Sequence, residues 1–194
     1  MGNDLFNKIA PVYGMFFNYQ VKNYRRVLDK AESNIYIPEH SSFLDIGCGT
    51  GALSCALYER GYSVTGVDAA SKMIQQAKER NTRNKMNFIV GDVLNGLVFN
   101  SKSFDIAISS YVAHGMNKVD RKKIYHEASR LAKTMIVFHD YNKKRALVTD
   151  MAEWLEGGDY FNFIKIVESE LTEFFGRIQV LNVSKSSAWY VVIL

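Results

Sequence analysis

Residues 42–51, Ser-Phe-Leu-Asp-Ile-Gly-Cys-Gly-Thr-Gly, constrain the fold more than any other stretch of this chain. An apolar run ends in Asp45 and passes at once into Gly47, Gly49 and Gly51, after which Leu53, Ala56 and Leu57 recur at helical spacing. That order predicts a strand, a tight turn and a helix. Glycine accepts positive φ and leaves no Cβ between the main chain and a ligand. The unpaired N–H groups of the helix's first turn point to the same place. The segment reads as the entrance to a nucleotide-type cofactor site.

Strand and helix signals alternate from there on. Strands are predicted at 42–45, 63–68, 87–90, 104–109 and 134–139, and β-rich runs at 178–183 and 188–194 end the chain. Helices are predicted from Gly51 to Gly61, from Ser71 as N-cap with Met73, Ile74 and Ala77 inward, and over Val119, Ile124, Ala128 and Leu131. Two more are predicted at 144–155 and 160–175. This alternation implies an α/β fold: a three-layer, doubly wound, Rossmann-like sheet of seven strands, mostly parallel. The short link Ser184 to Ser187 suits only an antiparallel hairpin, so the last strand runs backwards. Ahead of the sheet, Pro11 is expected to separate a short helix from a second one over 18–33.

At 194 residues and 47% hydrophobic content the chain suits one domain with a full-sized core. The net charge of +4 comes with small clusters at Arg25-Arg26, Arg121-Lys122-Lys123 and Lys143-Lys144-Arg145. These read as solvated helix ends rather than a nucleic-acid surface. Cys48 and Cys55 are too far apart along a turn and helix for a disulfide, and neither sits in a metal-binding pattern. The carboxylates and histidines are too scattered to imply a metal site. The first 20 residues lack a signal-peptide core, and no run reaches the ~18 apolar residues of a membrane span. A cytoplasmic protein without membrane insertion is expected, and an oligomer is compatible with the sequence.

Gly47, Gly49 and Ala52 also satisfy the dinucleotide fingerprint, so the glycines alone leave NAD(P) open. Asp45 separates the candidates, because a carboxylate before the turn repels a pyrophosphate and suits an ammonium group. S-adenosylmethionine carries such a group and no phosphate. Leu-Asp-Ile-Gly-Cys-Gly-Thr-Gly resembles motif I of the class I S-adenosylmethionine-dependent methyltransferases. Residues 103–115, Ser-Phe-Asp-Ile-Ala-Ile-Ser-Ser-Tyr-Val-Ala-His-Gly, resemble the fourth-strand motif of one branch, which includes the ubiquinone/menaquinone-biosynthesis enzymes and many small-molecule methyltransferases. Residues 6–13 are similar to that branch's opening segment, which lies across the cofactor. The resemblance covers about residues 5–140, and Gly115 stands where branch members often carry a second histidine.

The resemblance implies S-adenosylmethionine as cofactor and S-adenosylhomocysteine as product. It implies cofactor binding by Asp45, Gly47, Cys48, Gly49 and Gly51, with the Cys48 side chain expected to pack beneath the turn. Asp68, about 20 residues after the glycines, is placed on the ribose hydroxyls, with Ala69 following it. Met73 is placed against the adenine, Asp92 on its amine with the Val93 N–H on a ring nitrogen, and Ser109 and Tyr13 complete the set. One methyltransferase domain spans 1–194: an N-terminal arm to 40, a cofactor core over 42–141, acceptor-side helices over 142–175 and a C-terminal hairpin over 176–194.

Methyl transfer from a sulfonium needs alignment and exclusion of water more than activation of the leaving group. An acceptor that must lose a proton calls for a base, and His114, His139 and Asp140 follow the strands that could supply one. Tyr111, Trp154 and Tyr160 are expected to shape the acceptor pocket, the latter two as a lid around Gly157-Gly158. A small-molecule acceptor is the main reading. An RNA or protein acceptor, a catalytically silent cofactor-binding domain and an NAD(P)-dependent oxidoreductase stand as alternatives.

Overall fold

The computed structural model describes residues 2–82, 85–142 and 160–194, apart from the side chains of 2–5, 11–13, 160 and 161. Its centre is a seven-stranded sheet: β1 (Ser42–Ile46), β2 (Ser63–Asp68), β3 (Asn87–Val90), β4 (Phe104–Ser110), β5 (Ala132–Tyr141), β6 (Gln179–Asn182) and β7 (Ser187–Ile193). The strand order is β3-β2-β1-β4-β5-β7-β6. β7 is antiparallel to both neighbours and so runs against the other six, as the short serine link requires.

Among the described residues six α-helices flank the sheet: α1 (Gly2–Met15), α2 (Phe17–Glu32), α3 (Ala52–Tyr58), α4 (Ser71–Arg80), α5 (Lys118–Leu131) and α6 (Tyr160–Phe175). On one face Leu28 of α2 and Leu57 of α3 pack with Phe43, Ile108 and Trp189. Ile74 and Ala77 of α4 extend that layer over Phe88. On the other face Tyr125 and Leu131 of α5 meet Phe163 and Leu171 of α6 over Phe138 and Tyr190. Order reverses between β1 and β4, and in open α/β sheets the ligand crevice lies beyond the carboxyl ends of the strands there.

Three local expectations are corrected. α1 runs unbroken through Pro11, and the helical chain breaks at Phe16 instead. A mid-helix proline costs an N–H and a clash, but docking on α4 outweighs that here. Ala10 packs with Ala70 and Met73, and Arg80 Nη2 donates to the Gly14 carbonyl at 3.2 Å. Ser71 does not cap α4: Ala70 is the N-cap, and Asn7 Oδ1 on α1 accepts from the Lys72 N–H at 3.0 Å. Val119 faces solvent rather than the core, where Arg121 is buried in its place. The helix expected over 144–155 lies outside the described residues.

Candidate functional site

Asp45 ends the apolar part of β1 with 1% of its surface exposed. Ser54 of α3 donates its hydroxyl to Asp45 Oδ2 at 2.6 Å, while Oδ1 is buried with no hydrogen-bond partner among the described residues. Burial pushes the carboxyl up to about 7; the Ser54 hydroxyl opposes the shift and the Asp68 charge adds to it. A buried carboxylate oxygen without a partner is costly, so Oδ1 fits a donor or cation.

The glycine turn folds over that carboxylate, and its glycines serve different ends. At Gly47 (φ +74°) a Cβ would fall 2.4 Å from Val112 Cγ2, so packing excludes a side chain. At Gly49 (φ +53°) nothing lies within 4 Å of the Cβ position, so the space there is open for a ligand. Gly49→Ala should therefore cost only about 1 kcal/mol of stability, from the left-handed backbone. It should weaken adenosyl-ligand binding at least tenfold by calorimetry; unchanged affinity would detach this turn from the ligand.

Asp68, at the end of β2, accepts from the Gly49 N–H at 2.9 Å through Oδ2 and from the Ala70 N–H at 2.8 Å through Oδ1. Burial raises its carboxyl above the usual range, and those two amides oppose the shift. It thus braces the turn, and each oxygen keeps lone-pair capacity for a further donor. Ala69 beside it is half-buried. Cys48 tucks among Ile74, Ala77 and Phe88, and burial raises its thiol, which leaves a packing role for the side chain. Met73 is buried against Ile9, Ala10 and Ala70, beneath α1. Asp92 caps a short 3₁₀ turn (Val93–Asn95), accepting from the Leu94 N–H at 3.0 Å and from Asn95 Nδ2 at 3.1 Å. Ser109 donates to the Ile46 carbonyl at 3.0 Å and stitches β4 to β1.

His139 and Asp140 are neighbours on β5, so the pleat sends them to opposite faces of the sheet. His139 lies on the α2 face with its Nδ1 2.9 Å from Ser110 Oγ and its Nε2 3.2 Å from Ser187 Oγ. Burial lowers its pKa to about 4, so the ring is neutral. Asp140 lies on the α5–α6 face, where its Oδ1 is 2.8 Å from His114 Nδ1 and accepts from the Tyr141 N–H at 2.8 Å. Its Oδ2 accepts from the His114 N–H at 3.2 Å. The structure thus joins His114 to Asp140 and separates both from His139.

Aromatic rings enclose this pair. Tyr141 lies 4.9 Å from the His114 ring, and Tyr111 and Phe163 each lie 6.4 Å away. Tyr111 also stacks 4.7 Å from His139 and takes a left-handed backbone, φ +55°, costly for a bulky residue. Tyr24 of α2 reaches the same corner, its hydroxyl 3.1 Å from Ser110 Oγ. Tyr24 does not stand out as a site residue in the sequence, since it reads as an ordinary member of a helical apolar stripe. Ser54 does leave a visible signal, a serine inside the buried stripe of α3. Trp154 and the expected Gly157-Gly158 hinge lie outside the described residues, as do the side chains of Tyr13 and Tyr160.

Residues 43–135 match a family model described as a methyltransferase domain. The malonyl-[acyl-carrier protein] O-methyltransferase of Priestia megaterium is 28% identical over 127 residues, 63% of this chain and 45% of that protein. The ubiquinone biosynthesis O-methyltransferase of Pelagibacter ubique is 32% identical over 114 residues, 58% of this chain and 44% of that protein. The 18S rRNA (guanine-N(7))-methyltransferase of Bos taurus is 33% identical over 79 residues, 41% of this chain and 27% of that protein. The chain therefore spans less than half the length of these curated relatives. A Methanococcus maripaludis structure assigned as an S-adenosyl-L-methionine-dependent methyltransferase superposes with a TM-score of 0.74 at 17% identity, over 96% of this chain and 92% of that one. At that identity the likeness speaks for the fold. The unpaired Asp45 oxygen and the open glycine turn fit a ligand with an ammonium group, as S-adenosylmethionine has. The matched methyltransferase domain, the sheet order and this site together support a class I S-adenosylmethionine-dependent methyltransferase.

Proposed function

We propose that this protein methylates a small-molecule acceptor that loses a proton as it reacts, with His114 as the base. The observation that carries this reading is the 2.8 Å contact between His114 Nδ1 and Asp140 Oδ1 inside the aromatic enclosure beyond β4 and β5. An ionised Asp140 only accepts hydrogen bonds, so it holds the proton on Nδ1 and leaves the ring's basic lone pair on Nε2. When that nitrogen takes the acceptor's proton, the adjacent carboxylate stabilises the imidazolium. Asp45 would hold the cofactor's ammonium, Asp68 its ribose hydroxyls, and Gly49 the main-chain approach. Bound there, S-adenosylmethionine supplies a methyl group already activated by a sulfonium leaving group. Tyr111, Tyr141 and Phe163 exclude water and orient the acceptor.

The enclosure favours a small acceptor, because only 7% of His114 is exposed. A polynucleotide acceptor is less well supported by the charge distribution. Of the cluster 121–123, Arg121 is buried in an ion pair with Glu170 and Lys123 pairs with Asp120. Arg25 pairs with Glu59.

Incubation with isotopically labelled methyl donor and fractionated metabolite pools tests the proposal. Label is expected in a small-molecule fraction; label only in RNA or protein, or none, refutes it. Within the same reading, Asp68→Ala should weaken adenosyl-ligand binding by about 1–3 kcal/mol, as buried partners are lost. Wild-type affinity in calorimetry would remove Asp68 from the site.

A further inference from the structure

The Ser54 hydroxyl is fully buried and donates to Asp45 Oδ2 at 2.6 Å, with the Ser54 main-chain N–H a weaker second support for the same carboxylate. We infer that Ser54 is a positioning residue for cofactor capture: it holds Asp45 ionised and occupies one carboxylate oxygen, leaving the other for the ligand's ammonium group. This rests on the reading that Asp45 receives that group.

The physical case is one of few partners. A carboxylate in a strand buried on both faces has lost its water, and every donor that remains decides whether it keeps its charge. Asp45 draws its support from Ser54 of α3, chiefly from the hydroxyl at 2.6 Å and less from the main-chain N–H. Of the titratable groups around it, the Asp68 carboxylate from β2 opposes ionisation, and the Cys48 thiol in the turn is held protonated and adds no charge. Burial already brings its carboxyl to about 7, near the pH at which the protein works if that pH is neutral. Loss of the serine hydroxyl raises it further. The neutral acid attracts an ammonium group far less than the carboxylate does.

Ser54→Ala removes one oxygen atom from a helix position where alanine is well tolerated. Binding of S-adenosylhomocysteine is measured by calorimetry from pH 6 to pH 8.5 for the wild type and the variant. Their affinity ratio is used, because titration of the ligand's own amine cancels in it. One charge-assisted hydrogen bond moves a carboxyl by about one pH unit or more, which predicts a deficit of about tenfold at pH 6 that fades toward none at pH 8.5. Binding of 5′-methylthioadenosine, which lacks the amino-acid tail, should be unaltered at every pH. An equal loss for both ligands, or a loss independent of pH, makes Ser54 a packing residue and overturns the inference.

The near-isosteric Ser54→Cys keeps a weak donor and should fall between wild type and alanine. If the alanine variant does not fold, a cysteine variant with the wild-type pH profile overturns the inference equally. Asp45→Asn isolates the underlying reading: wild-type affinity there removes the ammonium contact itself. A deficit in that variant that grows from pH 6 to pH 8.5, as the wild-type carboxyl ionises, leaves the contact standing and Ser54 to be judged by its own profile.

Discussion

Asp45→Asn is expected to weaken S-adenosylhomocysteine binding by about 2–4 kcal/mol, roughly thirty- to a thousandfold, the usual cost of truncating one partner of a buried charge pair. The same substitution should raise the stability of the ligand-free protein near pH 8. The folded carboxyl titrates near 7, above its ordinary value of 3.8. Its contribution to stability is therefore present below about pH 4 and is lost as pH rises through 7. Asparagine keeps the shape and accepts from Ser54 without carrying a charge, so the variant escapes that loss. A melting-temperature gain at pH 8 that shrinks toward pH 4, together with weakened binding, is the expected pair of results. Ordinary core damage lowers both quantities, and a variant that binds as the wild type does would falsify the assignment of Asp45 to the ammonium group. The opposed signs reflect a site whose unpaired oxygen is tolerated for the ligand's sake.

Much of this arrangement is legible in the amino-acid sequence, for a local reason. The strand–glycine–helix order around Asp45 is set by residues adjacent in sequence, and short runs rich in apolar and β-branched residues mark the strands that carry Asp68, Ser109 and Asp140. What escapes a reading of the sequence depends on contacts across the fold. Pro11 reads as a helix break, yet Asn7 and Ala10, in the turn before it, find partners on and beside α4 that no local rule anticipates. Ser71 reads as a cap, yet Asn7, 65 positions before the Lys72 N–H that it accepts from, takes the job. His139-Asp140 reads as one constellation because the residues are adjacent, whereas a strand turns adjacent side chains to opposite faces. Period-two alternation along β5 could have separated them: Phe138 and Asp140 share one face, Val137 and His139 the other. The link from Asp140 to His114 spans 26 residues and two strands, and only the parallel pairing of β4 with β5 brings them together.

That link carries the second large prediction. His114→Ala should lower kcat by about a hundred- to ten-thousandfold while adenosyl-ligand affinity stays within about twofold of wild type. Asp140→Asn should lower turnover as well, because an amide that presents its NH₂ to Nδ1 stabilises the wrong tautomer. His139→Gln makes the informative contrast. Its neutral ring is locked between Ser110 and Ser187, so replacing it should lower the melting temperature and affect turnover far less than loss of His114. Turnover with the labelled methyl donor separates the cases once an acceptor fraction is identified. The size of the His114 effect also reports on the acceptor. A hydroxyl, protonated amine or acidic carbon must shed a proton and needs the ring, whereas a carboxylate already carries a reactive lone pair and does not. A His114→Ala enzyme that keeps more than a tenth of its turnover on its own acceptor would therefore mean that no proton leaves through this ring. The His114–Asp140 pair would then be a structural element of the pocket wall, and the acceptor would be one with a reactive lone pair that needs no deprotonation.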